Sequence, residues 1–342
     1  MKNNIKKIIS RLGLLRIINT ITSNRITTLF YHGFSDGRSQ EQHGLDNKFF
    51  PIDKFEQHIK ICLKYGDPLS LQDLICEKKI SRNAVVLTID DGYANNYSLA
   101  YPLLKTYNFP ATIFLTTGFI DRTTYLWTDW LEYIIACAPK KITMFNWNEK
   151  MIPLYLETKQ ARQLCMQELK SLLKTMSIGE IHTFLKNLEV QLQIHYTWNE
   201  IPQSLQPLTW DQVREMKQSG LVSFGGHTLS HPILSKCDRE VQQFELLTSK
   251  QRIEAEINEP CLMFAYPNGK QSDYTQDTTE LLKQAGYMLA VTTESGYDSV
   301  AAHDHYRFKR WGADIGIADL EFLVSGGSQL LQHITGINKI NE

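Results

Sequence analysis

Short apolar runs alternate with amphipathic stretches over most of this chain of 342 residues. The runs are rich in β-branched and aromatic residues, which predicts buried strands at residues 26–31, 84–89, 110–115, 221–225, 261–266 and 287–292. Helical periodicity between them predicts helices at residues 55–65, 69–75, 97–107, 210–218, 239–257 and 278–285. Strands that alternate with helices indicate an α/β fold with a mostly parallel sheet, although periodicity alone does not choose between an open sheet and a barrel.

Residues 120–206 break this alternation. Their pattern predicts a β-hairpin around residues 148–150 and several helices, which we interpret as a mainly helical cap inserted after the strand ending near Leu115. We expect an N-terminal amphipathic helix at residues 1–25 and an α/β domain formed by residues 26–119 together with 207–325. The cap occupies residues 120–206, and a C-terminal tail follows at residues 326–342. Four tryptophans in the cap could stack on sugar rings, but we expect most of them to be core residues: Trp127, Trp130, Trp147 and Trp198.

Two polar motifs each follow a predicted strand. Asp90 and Asp91 follow one strand, and His227 and His231 follow another, at the ends where parallel α/β sheets place their chemistry. Taken singly, an Asp-Asp-Gly is commonly a turn, and a lone His-x-x-x-His is weak evidence for a metal. Two histidines four residues apart share one face of a helical turn and could reach one ion. With one carboxylate they leave coordination positions open, and the second carboxylate can act as a base, which predicts a metal-assisted hydrolase.

The amino-acid composition limits the classes of binding partner that we expect and indicates the redox state of the compartment. Lysine and arginine number 36 against 37 acidic residues, for a formal net charge of −1, which gives no reason to expect a nucleic acid partner. The six cysteines lack Cys-x-x-Cys spacing, which favours free thiols in a reducing compartment.

The N-terminal segment combines apolar residues at helical spacing with lysine and arginine. We prefer a helix packed against the domain, with a basic amphipathic helix on an anionic membrane as the alternative. The sequence shows no apolar core of secretory type and no stretch long enough to span a membrane. We therefore expect a cytoplasmic protein, with peripheral contact at the inner face of the membrane as the alternative.

Three segments occur in an informative order: Thr88-Ile89-Asp90-Asp91-Gly92, His227-Thr228-Leu229-Ser230-His231 and Phe264-Ala265-Tyr266-Pro267-Asn268-Gly269. They resemble the motifs of the polysaccharide deacetylase family. Members of this family are carbohydrate esterases with a NodB homology domain. Tyr31-His32-Gly33-Phe34 resembles the first strand of the subgroup active on exopolysaccharides. The resemblance extends over about residues 26–322, apart from those between 117 and 207. It implies a distorted (β/α) barrel of NodB-homology type with fewer than eight strands.

The resemblance also implies roles. One divalent metal, with Zn²⁺ favoured, would be bound by Asp91, His227 and His231. Such a metal can activate water and stabilise the oxyanion that amide hydrolysis requires, while Asp90 takes the proton from the water. A backbone N–H of the third motif is implied as a second oxyanion donor, which makes Tyr266, Pro267 and Asn268 the expected substrate-binding residues.

One departure from the family pattern concerns the partner of the base. The commoner third motif carries an arginine in place of Ala265, and that arginine usually pairs with the base. Arg310 is the candidate substitute, and Arg307 is the second choice. The competing interpretation of Arg310 is an ordinary surface charge.

The other departure concerns the general acid. The late leucine-rich motif that supplies a histidine in many members has no convincing counterpart around His303, His305 or His333. His32, at the end of the first predicted strand, is therefore the candidate acid, with His303 and His305 as alternatives and a structural histidine as the competing interpretation. Four histidines without motif context are expected to be exposed: His43, His58, His182 and His195.

The expected function is hydrolysis of the acetamido group of an N-acetylated sugar or cell-envelope polysaccharide, or of its precursor. The alternatives are a related hydrolase of small non-sugar amides and a carbohydrate-binding descendant without activity. Retention of both carboxylates and both histidines argues against the last, because binding alone has no need of a base.

Overall fold

The computed structural model describes residues 14–22, 24–37, 45, 48–76, 83–299 and 304–335. Its strands in chain order are β1 (Arg25–Tyr31), β2 (Gly33–Ser35), β3 (Phe49–Pro51), β4 (Asp67–Leu69), β5 (Ala84–Ile89), β6 (Ala111–Leu115), β7 (Thr143–Trp147), β8 (Lys150–Leu154), β9 (Val222–Gly226), β10 (Met263–Ala265), β11 (Leu289–Val291), β12 (Asp298–Ser299) and β13 (Trp311–Gly312). Its α-helices are α1 (Leu14–Ile21), α2 (Ile52–Tyr65), α3 (Leu71–Ile75), α4 (Tyr101–Thr106), α5 (Thr117–Ile120), α6 (Trp127–Cys137), α7 (Lys159–Leu173), α8 (Ile178–Leu192), α9 (Trp210–Gln218), α10 (Arg239–Ile257), α11 (Gln276–Gln284), α12 (Ile317–Val324) and α13 (Gly327–Thr335).

The main sheet is curled and contains nine strands. Its order is β11-β10-β9-β6-β5-β1-β12, and β4 and β13 are additional partners of β5 and β1. The pairs are parallel except for β1 with β12. Because β4 and β6 share one flank of β5, and β12 and β13 share one flank of β1, the nine strands occupy seven positions. Counted by position across the sheet, the barrel has seven places for strands. The prediction of a distorted (β/α) barrel with fewer than eight strands is therefore confirmed.

One segment, residues 308–312, connects the two edges of the curled sheet. Phe308 forms a parallel bridge with Val291 of β11, and β13 pairs with the end of β1. Arg310 lies between these two attachments, and its backbone N–H donates to the carbonyl of Glu294. The segment that carries Arg310 is therefore held from both sides.

The central strands β5, β6 and β9 are buried along their whole length. This agrees with their unbroken runs of apolar and small residues, which are typical of parallel strands covered on both faces. Their carboxyl ends point to the same end of the barrel, where the two polar motifs begin.

The cap consists of α6, the hairpin β7–β8, α7 and α8. Phe145 of the hairpin packs edge-on against Phe184 of α8, and both rings are buried. Two of the four tryptophans are buried and two pack half-buried against the core: Trp127, Trp130, Trp147 and Trp198. Core positions were expected for most of the four, and the structure buries two of them, Trp127 and Trp130.

Some boundaries differ from the prediction for local reasons. The helix predicted at 69–75 begins only at Leu71, because residues 67–69 pair with β5 as β4. The helix predicted at 97–107 begins with a π-helical turn, Asn96–Ala100. Part of the expected C-terminal tail forms α13, which packs against α1.

Helix α1 buries Leu15 and Ile18 against the domain and exposes Leu14, Ile17 and Ile21. The expected membrane contact also depends on residues 1–13. These residues lie outside the described part of the chain, so the membrane contact stays a prediction. Among the described residues, no helix is both long and apolar enough to cross a bilayer. The six cysteines are free thiols.

Candidate active site

The Asp-Asp motif forms a tight reversal at the end of β5. Asp91 has φ +75° and Gly92 has φ +89°, so two consecutive residues adopt the left-handed region. The positive φ of Gly92 is a conformation that other residues rarely adopt, so glycine is favoured there, and a Cβ would also crowd the terminal methyl groups of Ile120 and Leu115 at 2.8 and 2.9 Å. The reversal sends the two carboxylates apart. Asp91 faces the histidines and Asp90 faces Arg310.

The segment from His227 to His231 is a loop, and the prediction of a helical turn there is wrong. Thr228 (φ +68°) and His231 (φ +58°) both have left-handed backbone conformations, which a helical turn excludes. The backbone N–H of His231 donates to the hydroxyl of Thr228 at 3.0 Å. This closed turn, instead of helical periodicity, brings the two imidazoles together, with ring centroids 4.8 Å apart.

The geometry of the three predicted ligands fits a metal ion. An oxygen of Asp91 lies 3.6 Å from Nε2 of His227 and 3.6 Å from Nε2 of His231. All three ligand atoms lie within 4.8 Å of one another. Among the described residues, this is the cluster of three His, Cys, Asp or Glu side chains that could hold a metal ion. Ligands at zinc distances of about 2.1 Å in a tetrahedron are separated by roughly 3.4 Å, close to the two separations from Asp91.

The hydrogen bonds of the histidines leave Nε2 available as a ligand. Nδ1 of His227 lies 2.7 Å from the carbonyl of Ala265, so it carries the proton and Nε2 keeps its lone pair. Burial lowers the pKa of His231 to about 3, which keeps that ring neutral as a metal ligand must be. The Nδ1 atom of His231 is buried and has no hydrogen-bond partner within the described part of the chain.

Glu245 of α10 holds the loop between the two histidines. Its carboxylate accepts the backbone N–H groups of Leu229 and Ser230, at 2.8 and 2.9 Å, and also the hydroxyl of Ser230. The side chain is buried, and burial raises the pKa of Glu245. No motif in the sequence pointed to Glu245. The helix α10 begins at Arg239, eight residues after His231, and the polar residues of this helix show no distinctive spacing.

Arg310 forms a two-point ion pair with Asp90, at 2.7 and 2.8 Å. Its guanidinium also donates to the hydroxyl of Thr88 and to the carbonyl of Thr292, and it lies over the ring of Phe30. Burial alone would raise the pKa of Asp90, but the charge of Arg310 and its hydrogen bonds outweigh burial and lower that pKa to about 2. Arg310 is fully buried, so it is not an ordinary surface charge, whereas Arg307 is exposed.

His32 and Lys48 face the same cavity as the histidine ligands. Burial lowers the pKa of His32, although the charges of Asp91 and Asp90 oppose this effect. Lys48 is paired with the buried Asp129 of α6, which also accepts the hydroxyl of Tyr93 at 2.8 Å. Sequence reasoning missed Lys48, because its partner lies 81 residues further along the chain.

The third motif offers a single free backbone donor. The N–H of Tyr266 donates to the carbonyl of Val291 in the sheet, and Pro267 has none. Asn268 has φ +59°, and its N–H has no hydrogen bond within the described residues. The hydroxyl of Tyr266 donates to the carbonyl of Tyr306 at 3.0 Å. Of the three predicted substrate-binding residues, Tyr266 and Asn268 line the cavity and Pro267 does not.

These groups surround one cavity of about 660 Å³ at the carboxyl end of the barrel. It contains both carboxylates, both histidine ligands and His32, while Arg310 lies behind Asp90. The cap also lines this cavity, with Thr128 of α6 and Gln163, Gln167 and Lys170 of α7. Of the late histidines, His305 is exposed away from this cavity, and His303 lies outside the described residues.

A curled barrel with this cluster at its carboxyl end is the architecture of a polysaccharide deacetylase. The chain belongs to the polysaccharide deacetylase family, whose model matches residues 77–152 and 171–290, more than half of its length. The family is one of hydrolases that act on carbohydrate amides, as the motifs had implied.

Individual relatives agree with this assignment. YxkH of Bacillus subtilis (strain 168), itself assigned only provisionally as a polysaccharide deacetylase, is 25% identical over 284 residues, which cover 82% of this chain and 68% of that protein. Deacetylase PplD of Streptococcus pyogenes, solved with acetate, is 22% identical with a TM-score of 0.55, and the match covers 87% of this chain and 97% of that one. IcaB of Ammonifex degensii is 16% identical with a TM-score of 0.56, over 88% and 97% of the two chains. At these identities the solved structures show a shared fold.

Proposed function

We propose that the protein is an N-deacetylase that depends on one divalent metal, with Zn²⁺ favoured. Its substrate would be the acetamido group of an N-acetylated sugar or cell-envelope polysaccharide, or of its precursor. The observation that carries this proposal is the placement of Asp91, His227 and His231 beside the Asp90–Arg310 ion pair in one cavity. The description of PplD as a deacetylase with bound acetate supports the same chemistry.

The donor set supports the metal. Two neutral imidazoles and one carboxylate suit zinc and leave at least one coordination position open. A divalent metal in this position would supply an activated water and would polarise the carbonyl oxygen of the amide. Asn268 could donate its free backbone N–H to the same carbonyl oxygen as negative charge develops there.

Asp90 would take the proton from the attacking water. Its low pKa, held down by Arg310, makes it a weak base, so it can act only on water that is already activated. Arg310 also fixes the carboxylate in one orientation through its two hydrogen bonds. Arg310 is therefore a positioning residue for the base.

His32 would give a proton to the departing amine. It lines the cavity together with both carboxylates and both histidine ligands, whereas His305 does not. The lowered pKa of His32 means that the protonated form has to be supplied during the reaction or favoured by bound substrate.

Acetate release from N-acetylated saccharides, with and without a chelator, tests the proposal. We expect release that is lost on chelation and restored by about one equivalent of Zn²⁺. Release from small non-sugar amides alone would favour the second hydrolase class. Saccharide binding without any release, in protein that carries metal, would favour a binding protein and contradict the proposal.

A further inference from the structure

The inserted cap contacts the backbone directly after Asp91, one of the candidate metal ligands. Where the chain returns from the cap to the barrel, the N–H of Leu208 donates to the carbonyl of Gly92 at 2.9 Å. The carbonyl of Gln206 in turn accepts the N–H of Ala94 at 2.8 Å. The last residues of the cap therefore hold the backbone that leaves the Asp-Asp reversal.

The beginning of the cap holds Tyr93, the residue after Gly92, through its side chain. The hydroxyl of Tyr93 donates at 2.8 Å to the carboxylate of Asp129, which lies in the first turn of α6. Tyr93 is 0% exposed and Asp129 is 1% exposed, so water does not compete for this hydrogen bond. Both ends of the inserted segment therefore hold the residues that follow Asp91.

The other oxygen of Asp129 pairs with the ammonium of Lys48. This ammonium also lies over the ring of Tyr93, 4.8 Å from the ring centroid, and Lys48 lines the same cavity as Asp91. Burial alone would lower the pKa of Lys48, but Asp129 and Asp91 outweigh burial and raise that pKa. Lys48 is therefore a cation close to the candidate metal ligands, and Asp129 is the carboxylate that pairs with it.

An unpaired ammonium group at this place would oppose metal binding. It would repel a divalent ion and attract the carboxylate of Asp91, and both effects are stronger in a buried site than in water. Asp129 offsets the charge of Lys48 and, through Tyr93, supports the backbone next to Asp91. One carboxylate of the cap thus acts on the metal site in two ways.

We propose that Asp129 is a positioning residue for the metal site and that the network of Lys48, Asp129 and Tyr93 sets the affinity of this site for a divalent ion. This inference rests on the metal dependence in the proposed function. It gives the inserted cap a part in metal binding, although the three candidate ligands all lie in the barrel part of the chain.

The chain contains a network of the same composition away from the cavity, which provides matched controls. The hydroxyl of Tyr65 donates to the carboxylate of Glu321 at 2.8 Å, and Lys64 pairs with the same carboxylate. The ammonium of Lys64 lies 4.8 Å from the centroid of the Tyr65 ring. None of these three described residues lines the cavity. Variants in this second network therefore measure the general cost of losing such contacts.

The test is the dissociation constant for Zn²⁺, measured by competition with a zinc-binding dye. Tyr93→Phe removes one hydrogen bond, and we expect the constant to rise by about 2- to 10-fold. Asp129→Ala removes the support of Tyr93 and leaves Lys48 unpaired, so we expect a rise of about 10- to 100-fold. Adding Lys48→Met to Asp129→Ala should restore part of the affinity, because the unpaired charge is removed. Tyr65→Phe and Glu321→Ala should leave the constant unchanged.

Urea unfolding of every variant separates a loss of stability from an effect on the metal. Unchanged zinc affinity in Tyr93→Phe and Asp129→Ala, or equal losses of affinity in the two networks, would overturn the inference. An affinity that Lys48→Met fails to restore would overturn the role given to Lys48. Zinc affinity that changes as expected, without acetate release from any saccharide, would support the inference and overturn the proposed function. Absence of zinc binding by the unaltered protein would overturn both.

Discussion

Arg310 and Asp90 form a buried two-point ion pair, although 220 residues separate them in the chain. The commoner family arginine would stand at position 265, where this chain has alanine. Here the guanidinium comes from the segment that connects the two edges of the barrel. The charge that faces the candidate base is therefore present, but it is supplied by a different segment of the chain.

Replacing Arg310 with methionine should destabilise the protein. The change leaves Asp90 buried without its partner, which typically costs about 3–5 kcal/mol in free energy of unfolding. Arg310→Lys should lose less, because the charge remains while the two-point geometry is lost. Urea unfolding of both variants at neutral pH measures the difference. Equal stability of Arg310→Met and the unaltered protein would show that the pair contributes nothing.

Replacing His32 should reduce turnover. If His32 protonates the leaving amine, His32→Ala should lower kcat by roughly 10²–10⁴-fold, the range for loss of a general acid, with little effect on metal content. His305→Ala is the matched control, because that histidine is exposed outside the cavity. A fully active His32→Ala protein would move the acid role elsewhere.

Much of the fold follows from local sequence, because buried parallel strands such as β5 and β9 require continuous apolar runs. The same runs located Asp90, Asp91 and both histidines at the carboxyl end of the barrel. The short strand β13 could not be predicted, because its two residues are defined only by pairing with β1.

The part of the site that sequence reasoning missed consists of contacts between distant segments. Glu245 and Lys48 have ordinary local sequences, and only the fold brings them to the ligand loop and to Asp129. The helical turn expected at His227–His231 was wrong because hydrogen bonds to Thr228 and Glu245 stabilise a left-handed turn that the spacing does not encode.

Removing the Glu245 carboxylate should weaken metal binding. In Glu245→Ala the N–H groups of Leu229 and Ser230 lose their acceptor, so the loop that orients both histidines is less ordered. Loss of such outer contacts typically lowers metal affinity by about 10- to 100-fold. Glu245→Gln should retain most of the affinity, because its amide oxygen can still accept both N–H groups. Competition of each variant with a zinc-binding dye gives the affinities. Unchanged affinity in Glu245→Ala would exclude this positioning role.

His58 should make stability depend on pH. It is fully buried rather than exposed as expected, and burial and Lys54 lower its pKa to about 4. The unfolded chain protonates this ring near pH 6.5, so the free energy of unfolding should fall by up to about 3 kcal/mol between pH 6.5 and 4. His58→Asn keeps a partner for the hydroxyl of Tyr31 but does not titrate. Urea unfolding at pH 7 and pH 5 should show a smaller loss in His58→Asn, and an equal loss would contradict this assignment.

The central claim is that Asp91, His227 and His231 hold the metal while Asp90 does not. The most direct test is the metal-to-protein ratio, measured by elemental analysis after equilibration with Zn²⁺ and removal of unbound ion. We predict about one ion per chain in the unaltered protein and in Asp90→Asn, and far less in His227→Ala and His231→Ala, with all four proteins folded by circular dichroism. A full complement of zinc in either histidine variant, or its loss in Asp90→Asn alone, would contradict the account.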